Sequence, residues 1–189
     1  MTYGRTRTSG GVLVFSLIAG LVLGALAQSQ EFVQRAGVAA LYELRAAELA
    51  RERTRDEQVR VFADQVIETH ARANTELSSL ASDHDWRVPA ELDRVHQKLL
   101  SKLSALEGRE FDREYARQQL RALRQAVSLF QQQARTGTNG DLKQWADEKV
   151  SALEEHRARA ADLALGDPSQ PSFPPVPGVI TTAERSVQG

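Results

Sequence analysis

The 189-residue sequence predicts an all-α protein: an up-and-down four-helix bundle with an extra short helix, behind an N-terminal signal peptide. Three observations lead there. Apolar residues recur three and four apart over most of the chain from Gln30 to Leu165, the period of one buried helical face. No segment reads convincingly as a strand. The links between the amphipathic segments are short, and antiparallel packing is the simplest way for their apolar faces to meet.

Composition narrows the partners. Basic and acidic residues nearly balance, 24 against 25, with no polybasic run of the kind that tracks phosphates, so no nucleic-acid partner is expected. The absence of cysteine excludes thiol catalysis, thiolate metal sites, disulfides and lipid attachment at the signal cut.

Residues 1–27 read as an export signal. Arg5 and Arg7 form a basic start, Gly11 to Leu23 an apolar run, and Ala25-Leu26-Ala27 the small residues a signal peptidase inspects, placing the cut before Gln28. The mature chain then carries 22 basic and 25 acidic residues, a formal charge of −3. The expected address is the periplasm. The alternative is an uncleaved anchor in the inner membrane through residues 11–27, a run short for a bilayer span and interrupted by Gly20 and Gly24.

The first bundle helix is expected from Gln30 to about Arg53, with Phe32, Ala36, Ala39, Ala40, Ala46, Ala47 and Ala50 forming a small-residue face. Glu43 lies on that face. It is expected to run along the edge and reach water, although the small neighbours leave room for it to turn inward. Thr54 to Glu57 reads as a capping box opening the second helix, with Val59, Phe62, Val66, Ala73, Leu77 and Leu80 as its buried stripe and His70 inside that stripe. That helix should be on the order of 40 Å long at ~1.5 Å per residue.

Val88-Pro89 separates it from a short third helix marked by Leu92, Val95, Leu99, Leu103 and Leu106, with Gly108 as its stop. The fourth helix is expected over 109–134 on Phe111, Tyr115, Ala122, Leu123, Ala126, Val127 and Phe130, with Gln118-Gln119 and Gln131 to Gln133 as solvated flanks. After the turn Thr136 to Gly140, a fifth helix carries Leu142, Trp145, Ala146, Val150, Leu153, Ala160 and Leu163 inward, with His156 in their stripe and Gly166 as its end. The bundle domain is therefore 28–166. Residues 167–189 hold five of the six prolines and read as a disordered tail.

Glu31-Phe32-Val33, Val61-Phe62-Ala63 followed by His70 and Asn74-Thr75-Glu76-Leu77, Gly108-x-x-Phe111-Asp112-x-x-Tyr115, Val127 to Phe130 and Asp141-Leu142-Lys143-x-Trp145-Ala146 with His156 beyond occur in a telling order. In that order the chain resembles the domain-of-unknown-function 4142 family, exported bacterial proteins, from about Glu31 to Leu165. The resemblance implies a ferritin-like bundle and an envelope address, and no activity. It also implies an Asp-His pair in the fourth helix and another in the second. Here Ala122-Leu123 and Thr69-His70 stand in those places.

A di-iron or di-manganese bundle needs a Glu three residues before the His on two helices. Ile67 precedes His70 and Leu153 precedes His156 at that spacing, which disfavours such a centre. A simpler divalent-metal site remains open, with Glu43, His70 and His156 converging between helices as two imidazoles and a carboxylate. The competing expectation is two core-edge histidines bonded to a carbonyl, to Tyr115 or to water. Asp83-His84-Asp85, with Asp93 and His96, is a second candidate cluster in a helix link. No nucleophile elbow or phosphate loop is present. The expected function is a non-enzymatic envelope interaction or stress-related protein without cofactor, its partner an unknown envelope protein. The alternative is metal binding through His70 and His156.

Overall fold

A computed structural model describes residues 11–166, with side chains described from Gly24 onward. The predicted signal start and proline-rich tail fall partly or wholly outside the described residues. Five helices and no strand occupy the described chain: α1 (Gly11–Arg53), α2 (Glu57–Asp83), α3 (Arg94–Ser104), α4 (Gly108–Thr136) and α5 (Gly140–Leu165). The backbone of α1 runs as one helix through the position of the expected cut.

Cross-helix partners give the topology. Glu43 meets His70, Tyr42 meets Gln118, and Glu76 meets Trp145. Read with Thr54–Asp112 and His84–Asp141, these pairs make α1 antiparallel to α2 and α4, and α2 antiparallel to α5. Tyr42 lies against His96 while Arg53 reaches Ser104, so α3 runs parallel to α1. Each helix in chain order thus reverses the one before. The four long helices form a ring in the order α1, α2, α5, α4, and α3 lies outside it against α1 and α4. The expected bundle with one extra short helix is the observed architecture.

The core follows the predicted faces. Phe62, Val66, Phe111, Tyr115, Phe130, Trp145 and Leu153 are all buried, and Val150 is half-buried against them. Phe32, Phe130 and Trp145 form an edge-on aromatic cluster near one end, with centroids 5.2 to 6.3 Å apart.

Several ends differ from expectation for local reasons. Asp56, not Thr54, caps α2, accepting from the backbone N–H groups of Gln58 and Val59. Thr54 instead accepts from the Asp56 N–H and donates to Asp112 across to α4, so the capping box does not form. Asp93 caps α3, which stops at Ser104. Gly108, at φ +55°, opens α4 rather than closing α3, and that positive φ suits glycine. Gly166 closes α5 in the left-handed conformation, as its position predicts.

The extended link before α3 is strapped to α1. Gln30 and Gln34 each donate to the Arg87 carbonyl, and Arg87 N–H donates back to Gln30. The strap brings Pro89 directly over Gly37: a Cβ at Gly37 would stand 2.7 Å from Pro89 Cδ, an atom of a rigid ring. Replacing Gly37→Ala should therefore destabilise the fold by about 1–3 kcal/mol, the usual range for overpacking. The check is a lower urea midpoint with an unchanged denaturant slope.

Candidate polar centre and core cavity

Glu43 is buried at 1% exposure, against the expectation that it reaches water. The reason is its neighbourhood. Ala39, Ala46 and Ala47 surround it with methyl groups, so α2 approaches too closely for the carboxylate to swing out, and it meets His70 instead. The His70 Nε2 to Glu43 Oε2 distance is 3.1 Å, and His70 is itself 7% exposed. With Nε2–H donating to the carboxylate, the other ring nitrogen, Nδ1, has no hydrogen-bond partner among the described residues.

His156 enters the same centre from α5. It is 7% exposed, packs edge-on to Phe62 at 6.2 Å, and likewise has a buried Nδ1 without a partner among the described residues. Burial holds its pKa below the usual histidine value. Arg159 pushes the same way, and together they outweigh the opposite pull of Glu43 and Glu155.

Glu43, His70 and His156 line one cavity of about 50 Å³. The three predicted residues are therefore brought together, but not as a ligand cage. Among the described residues no three His, Asp or Glu side chains are arranged to hold a metal ion.

On the other side of Glu43 the sequence reading missed a second polar layer. Tyr42 donates to Gln118 Oε1 at 2.5 Å, and Gln118 donates to Glu114 Oε1 at 2.9 Å. Glu114 also receives Lys102 from α3 and Arg117 from its own helix, each at 2.7 Å. Burial raises the Glu114 pKa, but the bonds from Lys102 and Gln118 and the two cations outweigh it and hold the carboxyl below its ordinary value. Gln118, Gln119 and Gln133 are buried, correcting their reading as solvated flanks. Tyr115 is fully enclosed, and burial followed by the nearby Glu43 and Tyr42 charges keeps its phenol protonated well above the usual range. A signal existed: Gln118 and Gln119 fall between Tyr115 and Ala122 in the core stripe of α4, just as His70 falls between Val66 and Ala73 in α2.

The second candidate cluster does not assemble. His84 pairs with Asp141 of α5 at 3.1 Å and stacks on Trp86, whereas His96 bonds Asp93 at the start of α3 and lies over Tyr42. Asp93 acts as a helix cap, and the His96 backbone N–H is the main cause of its lowered pKa.

The His156 shift sets a pH dependence. Its folded pKa lies below the unfolded value of about 6.5, so between the two the unfolded chain binds more protons. The stability tied to neutral His156 is complete above about pH 6.5 and falls as pH drops from there toward the folded pKa. Thermal melts from pH 7.5 to 5 should show this loss in the wild type and a flatter profile in His156→Phe. Parallel profiles would assign the titration elsewhere.

The family model described as Domain of unknown function (DUF4142) matches residues 23–163. No curated protein matches the chain significantly. Among solved structures, a DUF305 fragment from Deinococcus radiodurans shares the fold at 15% identity with TM-score 0.64, covering 72% of this chain and 95% of that one. A DUF305 protein from Streptomyces coelicolor assigned as secreted does so at 20% identity with TM-score 0.61, covering 70% and 87%. At these identities the likeness is one of fold alone. The family match runs from within α1 to near the end of α5, across the polar centre, and the chain belongs to the DUF4142 family.

Proposed function

We propose that the protein is an exported, non-catalytic bundle of the bacterial envelope that acts by binding, with the cavity at Glu43, His70 and His156 as its working site. One observation carries this reading: a buried carboxylate and two buried imidazoles line a largely apolar cavity, with Thr69, Asn74 and Lys149 at its partly exposed side, and both Nδ1 atoms lack a partner among the described residues. Buried polar groups of this kind oppose folding unless satisfied, and apolar residues of similar volume would pack the same space more stably. Their presence fits retention for something other than the fold. Export rests on the N-terminal sequence pattern; the relative assigned as secreted supports it. No helix among the described residues is long and apolar enough to cross a membrane. The periplasm is the proposed compartment and a stress-related role the proposed context.

A divalent metal ion is a second reading, favoured by one geometric detail. A carboxylate bonded to one ring nitrogen commonly orients a histidine to ligate through the other. Glu43 stands in that relation to His70, leaving Nδ1 of His70 and Nδ1 of His156 as the two donors. The protein purified without a histidine tag and challenged with zinc, iron, manganese and copper should carry stoichiometric metal on this reading, and His70→Ala/His156→Ala should carry none.

The binding reading has its own test. The triple variant Glu43→Leu/His70→Leu/His156→Leu should be more stable than wild type by about 1–4 kcal/mol, as when buried ionic groups give way to apolar ones. A lower melting temperature with intact helix content would make the centre a structural one.

A further inference from the structure

The cavity has a shape as well as a polar end. Glu43, His70 and His156 close one end, and Phe130 and Trp145 close the other. From Glu43 back to Ala36 the lining spans seven residues of α1, about 10 Å at ~1.5 Å per residue. Between the ends every helix of the ring presents methyl groups: Ala39 and Ala40 of α1, Ala73 of α2, Ala126 of α4 and Ala152 of α5.

The seam between α2 and α5 gives access. Thr69, Ala73 and Asn74 on one side and Lys149 and Ala152 on the other all line the cavity and are partly exposed. Of the ring contacts, this seam is the least closely packed. Polar bridges span it: Glu76 accepts from Trp145 Nε1 at 2.9 Å and pairs with Lys149 at 2.5 Å.

Water suits only part of this space. A cavity of about 50 Å³ has room for roughly three waters, but each needs two to four polar partners, and away from the Glu43 end the lining offers polar groups only at the lip, from Asn74 and Lys149. A single molecule with an apolar body and one polar head fits both halves.

The polar end bears on the head. In the neutral tautomer that gives Nε2–H to Glu43, His70 presents its unpartnered Nδ1 as an acceptor. His156, neutral in its buried setting, also has an acceptor nitrogen. The adjacent carboxylate of Glu43 disfavours an anionic head, while Lys149 at the lip is already engaged by Glu76. We propose that the cavity binds a short-chain alcohol or primary amine, its donor head on His70 and His156 and its chain against the alanine walls toward Phe130 and Trp145. This rests on the reading of the cavity as the working site and names its ligand class.

The test uses the exported protein with ethanol, ethylamine, acetate and xenon as probes, each small enough for the cavity, followed by the methyl NMR shifts of Ala39, Ala73 and Ala152. Saturable shifts with ethanol or ethylamine, and none with acetate or xenon, are expected; the stronger of the two identifies the head. Ala152→Leu, which fills the cavity from its partly exposed lip, should abolish the response while circular dichroism stays unchanged. His156→Phe removes one acceptor and should weaken binding about tenfold, the equivalent of one hydrogen bond. Undiminished binding in Ala152→Leu would overturn the site. Equal binding of acetate, or a response to xenon alone, would overturn the donor-headed class while leaving the cavity a binding site. Silence from every probe, with zinc also inert, would overturn both.

Discussion

The alanine face of α1 sets the spacing on which the rest of the bundle depends. Ala36, Ala46, Ala47 and Ala50 are buried, and α1 touches α2, α3 and α4. Methyl-sized side chains let neighbouring backbones approach closely, and close approach has two consequences here. A long side chain on that face cannot lie flat and escape, so Glu43 is trapped and must find a partner inside. Where several helices present small residues at one level, they also fail to fill the centre. The polar pair and the cavity beside it are two results of one packing choice.

The polar centre has a bonded network on one side and a single bond on the other. Toward α3 and α4, Tyr42, Gln118, Glu114, Lys102 and Arg117 form a continuous chain of hydrogen bonds. Such a network, with its charges paired, anchors the short outer helix to the bundle. Toward α2 and α5, only the Glu43–His70 bond is made, and two imidazole nitrogens are left over. An unsatisfied buried polar atom typically costs about 1–3 kcal/mol. The Tyr115 hydroxyl and the Gln119 amide of α4 also lack partners among the described residues, so it is the cavity beside the two Nδ1 atoms, and not the missing bonds alone, that gives an external partner room to bind.

The helices were legible because their signals are local and repeated. Val59, Phe62, Val66 and Leu77 state a period by themselves, and Gly166 marks an end with its own backbone preference. What escaped reading depends on a second helix. Glu43 at a face edge is compatible with water or with burial until α2 is placed against it, and only then does His70 decide the matter. Thr54 has the right neighbours for a capping box, yet Asp112, far along the chain, competes for its hydroxyl and leaves the cap to Asp56. Gln118 and Gln119 look like surface residues by composition and like core residues by register, and register prevailed. Glu43, His70 and His156 could be named together because stripe position is local. Their pairing was not legible, because it depends on the rotation of one helix against another.

The ring is not equally tight around its circumference, and this places the access to the cavity. The two sequence-adjacent pairs, α1 with α2 and α4 with α5, are each joined by a short turn and packed along their length. α1 and α4 are further joined by Tyr42–Gln118, Thr54–Asp112 and the aromatic cluster. α2 and α5 share one buried ring contact, Phe62 with His156. They are otherwise held across their partly exposed edges by Glu76 with Lys149 and Trp145, by Arg159 with Gln65, and by His84 with Asp141. Ion pairs at a partly exposed edge are individually weak, with a typical contribution of about 0–1 kcal/mol. The easiest local opening of the bundle is therefore along this seam, where two alanines and a lysine face the cavity, and it requires no rearrangement of the three tighter sides.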